Sequence, residues 1–218
     1  MCIFSQIMID FSRNLLSLQK ISGTRQFESE LSLRSFALSL HKKTEKGNDK
    51  MEKIDVKQLN DNVFETIGKE WLLVCSGDKE NFNMMTASWG CLGWLWNKPV
   101  AVVFIRPERH THELIEKNEY MTLSFLGHSE EARKIYNFCG SKSGRDFDKA
   151  KETGLVPVET ESGSIGFEQA RLTLECRKLY TDSMTAEKFL DKSLLQWYGA
   201  KGGFHDVYVV EITNAYKK

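Results

Sequence analysis

The chain has 218 residues, 41% of them hydrophobic and 28% charged, which suits one globular domain with a sizeable core. Lys plus Arg and Asp plus Glu number 30 each, so no net field draws the molecule to nucleic acid or an anionic membrane. No apolar run reaches the roughly 18–20 residues that span a bilayer. Five cysteines, odd in number and without C-x-x-C spacing, argue against a disulfide framework or a zinc site and for a reducing, cytoplasmic setting.

Residues 1–50 are rich in Ser, Leu and Lys and end in the polar run from His41 to Lys50, which carries too little apolar surface to order itself. Phe11, Leu15, Leu16 and Ile21 are loosely helical in spacing. Asp10 and Arg13 interrupt the apolar residues of Met1–Leu18, and no positive n-region marks a signal peptide. This segment is expected to be a disordered N-terminal extension or a mis-assigned start. In a bacterial gene, Lys46-Gly47 can be encoded by AAAGGA, a ribosome-binding sequence, just ahead of Met51.

From Met51 onward the pattern is one of strands with short helices between them. Asp61–Ile67 predicts a helical turn or two with Asp61 as N-cap. Trp71–Ser76 reads as a strand closed by the turn Gly77-Asp78. Met84–Trp96 reads as one extended stretch. Pro99–Ile105, nearly all apolar, predicts a strand buried on both faces. Glu108–Lys117 predicts a helix and Tyr120–Leu126 a strand. Ser129 caps a helix to about Phe138, with acids in its first turn. Asp146–Glu152 is a short helix stopped by Gly154. Glu168–Tyr180 is a long strand with Ala170, Leu172, Leu174 and Cys176 on one face. Val207–Thr213 is the last strand. Without a βαβ rhythm, the fold class is mainly β with short α-helices, and a barrel is favoured over a doubly wound sheet.

Four segments in order carry a family likeness: Asn83-Met84-Met85-Thr86-Ala87-Ser88-Trp89-Gly90, Arg106-Pro107-Glu108-Arg109-His110-Thr111, Ser143-Gly144-Arg145-Asp146-Phe147-Asp148-Lys149 followed by Gly154-Leu155, and Gly203-Phe204-His205-Asp206-Val207-Tyr208-Val209-Val210-Glu211-Ile212. Together they resemble the flavin reductase-like family, and within it the flavoredoxin-type members. The resemblance implies that residues 51–218 form an FMN-binding split β-barrel of six strands, a homodimer with FMN near its interface.

FMN presents a dianionic phosphate, a polar ribityl chain and a flat ring that accepts electrons. Arg106, Arg109 and Thr111 lie where a strand ends and a helix begins. Free backbone N–H groups and the helix dipole favour an anion there, and Arg adds a bidentate charge-assisted contact. The alternative is that the arginines are solvated and Thr111 caps or packs. Asn83, Met85, Thr86, Ala87, Ser88 and Trp89 belong to the segment that the resemblance lays along the flavin. Thr86 and Ser88 offer hydroxyls, and Ala87 permits close approach. Trp89, Trp94 and Trp96 suit core or dimer-interface packing better than flavin stacking. Ser124 ends the fourth strand, where the resemblance implies a flavin contact. Lys149 is read either as a cation stabilising the reduced flavin or as part of a solvated charge run, with Asp146 and Asp148 pairing with Arg145 or Lys149. His205 follows Gly202-Gly203 and either contacts the flavin and donates a proton or fixes the loop. No metal-ligand spacing occurs.

Three functions follow. The first is an oxidoreductase in which NADH or NADPH passes hydride to FMN and the reduced flavin serves an unidentified acceptor. The absence of a G-x-G-x-x-G fingerprint means that the nicotinamide binds against the flavin rather than in a Rossmann site. The second is an electron carrier of flavoredoxin type. The third is a non-catalytic protein that binds FMN, haem or another planar ligand.

Overall fold

The computed structural model describes residues 51–199 and 203–218; the expectations for residues 1–50 lie outside the described residues. In chain order the elements are β1 (Glu52–Ile54), α1 (Val63–Glu65) running into a π-turn (Thr66–Glu70), β2 (Leu72–Gly77), β3 (Phe82–Ala87), β4 (Gly90–Leu95), β5 (Lys98–Ile105), α2 (His110–Lys117), β6 (Tyr120–Phe125), α3 (Glu130–Ser141), α4 (Lys149–Thr153), β7 (Pro157–Glu159), β8 (Ile165–Phe167), β9 (Leu172–Ser183) and β10 (Asp206–Lys217).

Eight strands form one antiparallel sheet in the order β3-β2-β6-β9-β10-β5-β4, with β1 added to β10. The six strands implied by the resemblance are thus part of a larger sheet. β10 is long enough to pair with β9 along its length, with β5 through Asp206–Glu211 and with β1 through Ala215–Lys217. The sheet curls around one core to which all of its central strands contribute, including Val74, Ala101, Leu123, Leu174 and Val210. β3 and β4, consecutive in sequence, are its two edges, so the barrel is split between them. A second core forms outside it, where Leu73, Cys75 and Met84 pack under Tyr136 and Cys139 of α3, Ala150 of α4 and Phe167 of β8.

Several elements differ from the sequence reading. Met84–Trp96 is two strands, parted at Ser88-Trp89. β4 returns into β5 through Trp96 and Asn97 at φ 51° and 59°, the paired left-handed residues of a two-residue hairpin. β5 is not buried on both faces: Ala101, Val103 and Ile105 enter the barrel core, whereas Val102 and Phe104 are half-buried opposite. β2 is the doubly buried strand, because α3 and β8 cover its outer face. Asn62 caps α1, accepting from the Phe64 N–H. Asp61 instead accepts from the Arg171 guanidinium at 2.5 Å, and Arg171 also grips the buried Glu70 carboxylate. Ala170 lies in a turn between β8 and β9, its N–H bonded to the Phe167 carbonyl. Ser129 does cap α3, accepting from the Ala132 N–H at 3.1 Å, and Gly154 ends α4 at φ 69°. Among the described residues no helix is long and apolar enough to cross a membrane.

Candidate functional site

β5 leaves the barrel at Ile105 and turns through Arg106-Pro107-Glu108-Arg109, closed by the Arg109 N–H on the Arg106 carbonyl at 3.0 Å. Pro107 supplies the fixed φ that the second turn position favours. Arg109 is the N-cap residue of α2 and makes no side-chain capping bond; the His112 N–H turns back to its carbonyl at 2.9 Å, which leaves the His110 and Thr111 amides as the ones that a helix start does not pair within the helix. Beside this corner, at the split of the barrel, is a cleft of about 200 Å³. β3 and its exit contribute Met85, Thr86, Ala87, Ser88 and Trp89; Phe104, Arg106, Arg109 and His205 complete the lining.

The Arg109 side chain reaches across to the last turn of α3. It donates to the Gly140 carbonyl at 2.8 Å and to the Cys139 carbonyl at 3.0 Å. A cation suits the negative end of a helix, and burial weakens the guanidinium's hold on its proton without neutralising it. Thr86 joins the same anchor, its hydroxyl donating to the Tyr136 carbonyl at 2.6 Å.

Lys149 lies beneath the site rather than in the cleft lining. Only 3% exposed, its ammonium donates to the Met84 carbonyl at 2.9 Å and the Cys139 carbonyl at 3.0 Å. Burial, and after it the charge of Arg109, lowers its pKa to about 8. The solvated charge run read from the sequence is corrected for Lys149 alone, since Arg145, Asp146 and Asp148 are exposed; Asp148 caps α4 by accepting from the Lys151 N–H, and Arg145 pairs with Glu113. The Met84 carbonyl points away from β2 to reach Lys149. By the alternation of an antiparallel ladder, the backbone N–H and C=O of Thr86 then also face outward from the open edge of β3.

His205 is 8% exposed. Its Nδ1 lies 3.2 Å from the Tyr198 hydroxyl and its ring 5.4 Å from that of Trp89. Burial, then the Arg106 charge, depresses its pKa to about 4, so the imidazole is neutral at pH 7. Arg106 donates to the Trp197 carbonyl at 2.9 Å and lies over the Tyr198 ring. The Glu108 carboxylate accepts from the Gly203 N–H at 2.5 Å. These three links hold the chain on either side of residues 200–202 against the strand-to-helix corner.

Eight of the residues singled out in the sequence therefore meet in one cleft: Met85, Thr86, Ala87, Ser88, Trp89, Arg106, Arg109 and His205. Four do not line it. Thr111 is fully buried and its hydroxyl accepts from Asn83 Nδ2 at 2.8 Å. Gly144 lies so close that a Cβ there would stand 2.0 Å from Asn83 Oδ1. Ser124 is buried 3.2 Å from the Thr173 hydroxyl, bridging β6 to β9. Lys149 and Asn83 line a wider groove of about 630 Å³, whose mixed charges, Glu80, Asp146 and Asp148 against Arg145 and Lys151, suit a dianion less well than the two arginines of the cleft. Trp89, Trp94 and Trp96 are 42%, 59% and 56% exposed, so none is a core residue of this chain. The sequence reading missed Phe104, hidden in an apolar run, and the segment Met184–Tyr198, where aromatic density was the available signal.

An antiparallel barrel split at an edge is the split-barrel fold, here with Arg106 and Arg109 beside the split. Residues 64–218 match the family model described as flavin reductase like domain. The chain belongs to that family, a class of flavin-related oxidoreductases and electron carriers. Among solved structures it is similar to an FMN-binding domain of a flavin reductases-like enzyme from Shewanella baltica OS155, at 15% identity and TM-score 0.55 over 77% of this chain and 76% of that one. It is similar to the flavoredoxin from Methanosarcina acetivorans at 23% identity and TM-score 0.53 over 77% and 76%. The FMN-binding protein from Thermus thermophilus is 22% identical with TM-score 0.52 over 77% and 80%. No curated protein matches the chain.

Proposed function

We propose that the cleft holds FMN and that the protein is an NAD(P)H-dependent oxidoreductase that passes electrons from the bound flavin to a further acceptor. The observation that carries this reading is the convergence of Arg106 and Arg109 with the open edge of β3 in one cleft. Two guanidinium groups and the first two amides of α2, those of His110 and Thr111, fit a phosphate dianion. The outward N–H and C=O of Thr86 fit the hydrogen-bonding edge of a flavin ring, and Ala87 leaves room beside them. At about 200 Å³ the cleft is smaller than the roughly 300–1,000 Å³ usual for such ligands, so part of the ring lies outside it.

That mismatch supports a homodimer in which a second copy covers the remainder. The exposed Trp94, Leu95 and Trp96 at the β4 end supply an apolar face for it. FMN, when bound, exchanges hydride with a nicotinamide and hands electrons on. In this reading Arg106 and Arg109 hold the phosphate, Met85–Trp89 align the ring, and neutral His205 offers a ring nitrogen for proton exchange. Asn83, Thr111, Lys149 and Ser124 act as positioning residues, through the bonds described above. Buried, unpaired Cys75, Cys139 and Cys176 support a cytoplasmic location.

Stopped-flow mixing of the FMN-loaded protein with NADH and with NADPH tests the proposal. Rapid bleaching of the visible flavin band by either nucleotide is expected. Bleaching no faster than that of free FMN contradicts the reductase and leaves the carrier.

A further inference from the structure

Just past the register pair Ser183–Asp206, where β9 ends and β10 begins, the chain makes one more main-chain bond, from the Met184 N–H to the His205 carbonyl at 3.0 Å. The ladder therefore sets Met184 beside His205. Tyr198 joins their side chains: its hydroxyl lies 3.4 Å from Met184 Sδ and 3.2 Å from His205 Nδ1. The phenol ring is itself held. It stacks on Phe204 at 4.8 Å, and it meets Phe189 and His205 edge-on at 5.5 Å each.

The hydrogen bonds of this row run in one direction. A thioether sulfur has no proton to give, so in the Tyr198–Met184 contact the hydroxyl donates. A hydroxyl has one proton. With that proton on the sulfur, the phenol oxygen meets Nδ1 as an acceptor, and the imidazole proton must sit on Nδ1. The reverse order, with Tyr198 donating to Nδ1, leaves the sulfur contact without a proton. The separation agrees: 3.2 Å is at the long end of N–H···O bonds, roughly 2.7–3.2 Å, and beyond O–H···O bonds, roughly 2.5–3.0 Å.

Nε2 is the nitrogen left for the cleft. His205 lines the cleft and Tyr198 does not, so Nδ1 is turned away from it. Among the described residues Nε2 has no hydrogen-bond partner, and it is not a buried orphan. Arg106, Glu108 and Asp206 are the charges around the ring, which is neutral at pH 7. A neutral imidazole with its proton on Nδ1 keeps a lone pair on Nε2.

We infer that Tyr198 and Met184 are positioning residues that hold His205 as its Nδ1–H tautomer, so that Nε2 meets the cleft as the acceptor for an N–H or O–H group of the ligand. Held so, the neutral ring has no proton at Nε2 to give. That the ligand is FMN rests on the flavin reading; the tautomer does not.

The test is proton–nitrogen correlation NMR of isotope-labelled histidine side chains in the full chain at pH 7, with and without FMN. His205→Phe identifies the His205 signals by their absence. Without FMN, His205 is expected to show a protonated Nδ1 and, well downfield of it, an unprotonated Nε2. Met184→Leu keeps the side-chain volume and removes the sulfur acceptor. The freed Tyr198 hydroxyl then turns to Nδ1, and the two nitrogen signals are expected to exchange places. Tyr198→Phe keeps the ring and removes the hydroxyl, so both signals are expected to move to averaged positions. Added FMN is expected to shift the wild-type Nε2 signal upfield as the site fills. A wild-type His205 protonated at Nε2 overturns the inference, and this spectrum decides even if a variant does not fold. Folded Met184→Leu and Tyr198→Phe variants with the wild-type tautomer overturn it as well. Saturation with FMN that leaves Nε2 unmoved overturns the acceptor role. A chain that takes up no FMN, yet loses the tautomer in Met184→Leu, keeps the assignment and ends the flavin reading.

Discussion

Arg109 and Lys149 donate to the same main-chain oxygen, the carbonyl of Cys139, at 3.0 Å each. Two cations thus share the negative end of α3 without a carboxylate between them. The arrangement fixes three elements relative to one another: the corner before α2, the open edge of β3 through Met84, and the start of α4. The cleft takes its shape from that anchor, and the cost is two buried charges.

Arg109→Lys keeps the charge and removes the fork. A charge-assisted hydrogen bond contributes roughly 1.5–3 kcal/mol, and a lysine can reach one of the Cys139 and Gly140 carbonyls but not both with the same geometry. Urea unfolding is expected to show a loss of about 1.5–3 kcal/mol, with an unchanged far-ultraviolet circular dichroism spectrum.

The buried Lys149 gives a signature in alkaline solution. Its pKa is about 8 in the folded protein against 10.5 for a free lysine. Between those values the unfolded chain binds the extra proton, so this residue's contribution to stability rises with pH. Below about pH 8 both states are protonated and the contribution is flat. The stability difference between wild type and Lys149→Met, followed by urea midpoints, should therefore move in favour of the wild type from pH 8 to 10.5. A difference that is constant over that window contradicts the buried-cation assignment.

His205 behaves in the same sense at lower pH. With a folded pKa of about 4 against 6.5, the unfolded state takes up the proton first as pH falls. Stability contributed by the neutral ring is complete above pH 6.5 and is lost between 6.5 and 4. His205→Phe removes this titration, so the gap between wild type and variant should narrow on acidification.

Gly144 and Asn83 form a coupled pair. A Cβ at position 144 would stand 2.0 Å from Asn83 Oδ1, so Gly144→Ala must displace the amide from its bond to the Thr111 hydroxyl. Leaving that buried pair broken costs about 1–3 kcal/mol. Asn83→Ala pays the same loss once and makes room. The double variant is expected to be no less stable than Asn83→Ala alone, a coupling of at least about 1 kcal/mol in a double-mutant cycle.

The sequence exposes the local parts of this site and hides the distant ones. The strand-to-helix corner is legible because Ile105-Arg106-Pro107 ends an apolar run and His110–Lys117 has helical composition. Ser129 and Gly154 mark their helix ends through capping chemistry that needs no tertiary contact. Asp61 is misread as a cap because its true partner, Arg171, is far away in sequence and only the fold brings it near.

Burial of Lys149 is equally invisible. It stands among Asp146, Asp148 and Lys151, which look like a solvated run, and its acceptors are backbone carbonyls that no residue type announces. The break at Ser88-Trp89 lacks a proline and precedes both glycines of the stretch, Gly90 and Gly93, so alternation alone carries the strand reading straight through it. Which strand is buried on both faces depends on where α3 and β8 settle, and that is decided by packing between segments rather than within one.

Titration of the purified full chain with FMN, followed by quenching of flavin fluorescence, reports directly on phosphate capture by Arg106 and Arg109. Saturation at one FMN per chain is expected, with affinity weakened at least tenfold in Arg109→Ala and further in Arg106→Ala/Arg109→Ala. Failure of the wild type to take up FMN, or equal uptake by the double variant in a folded state, contradicts it.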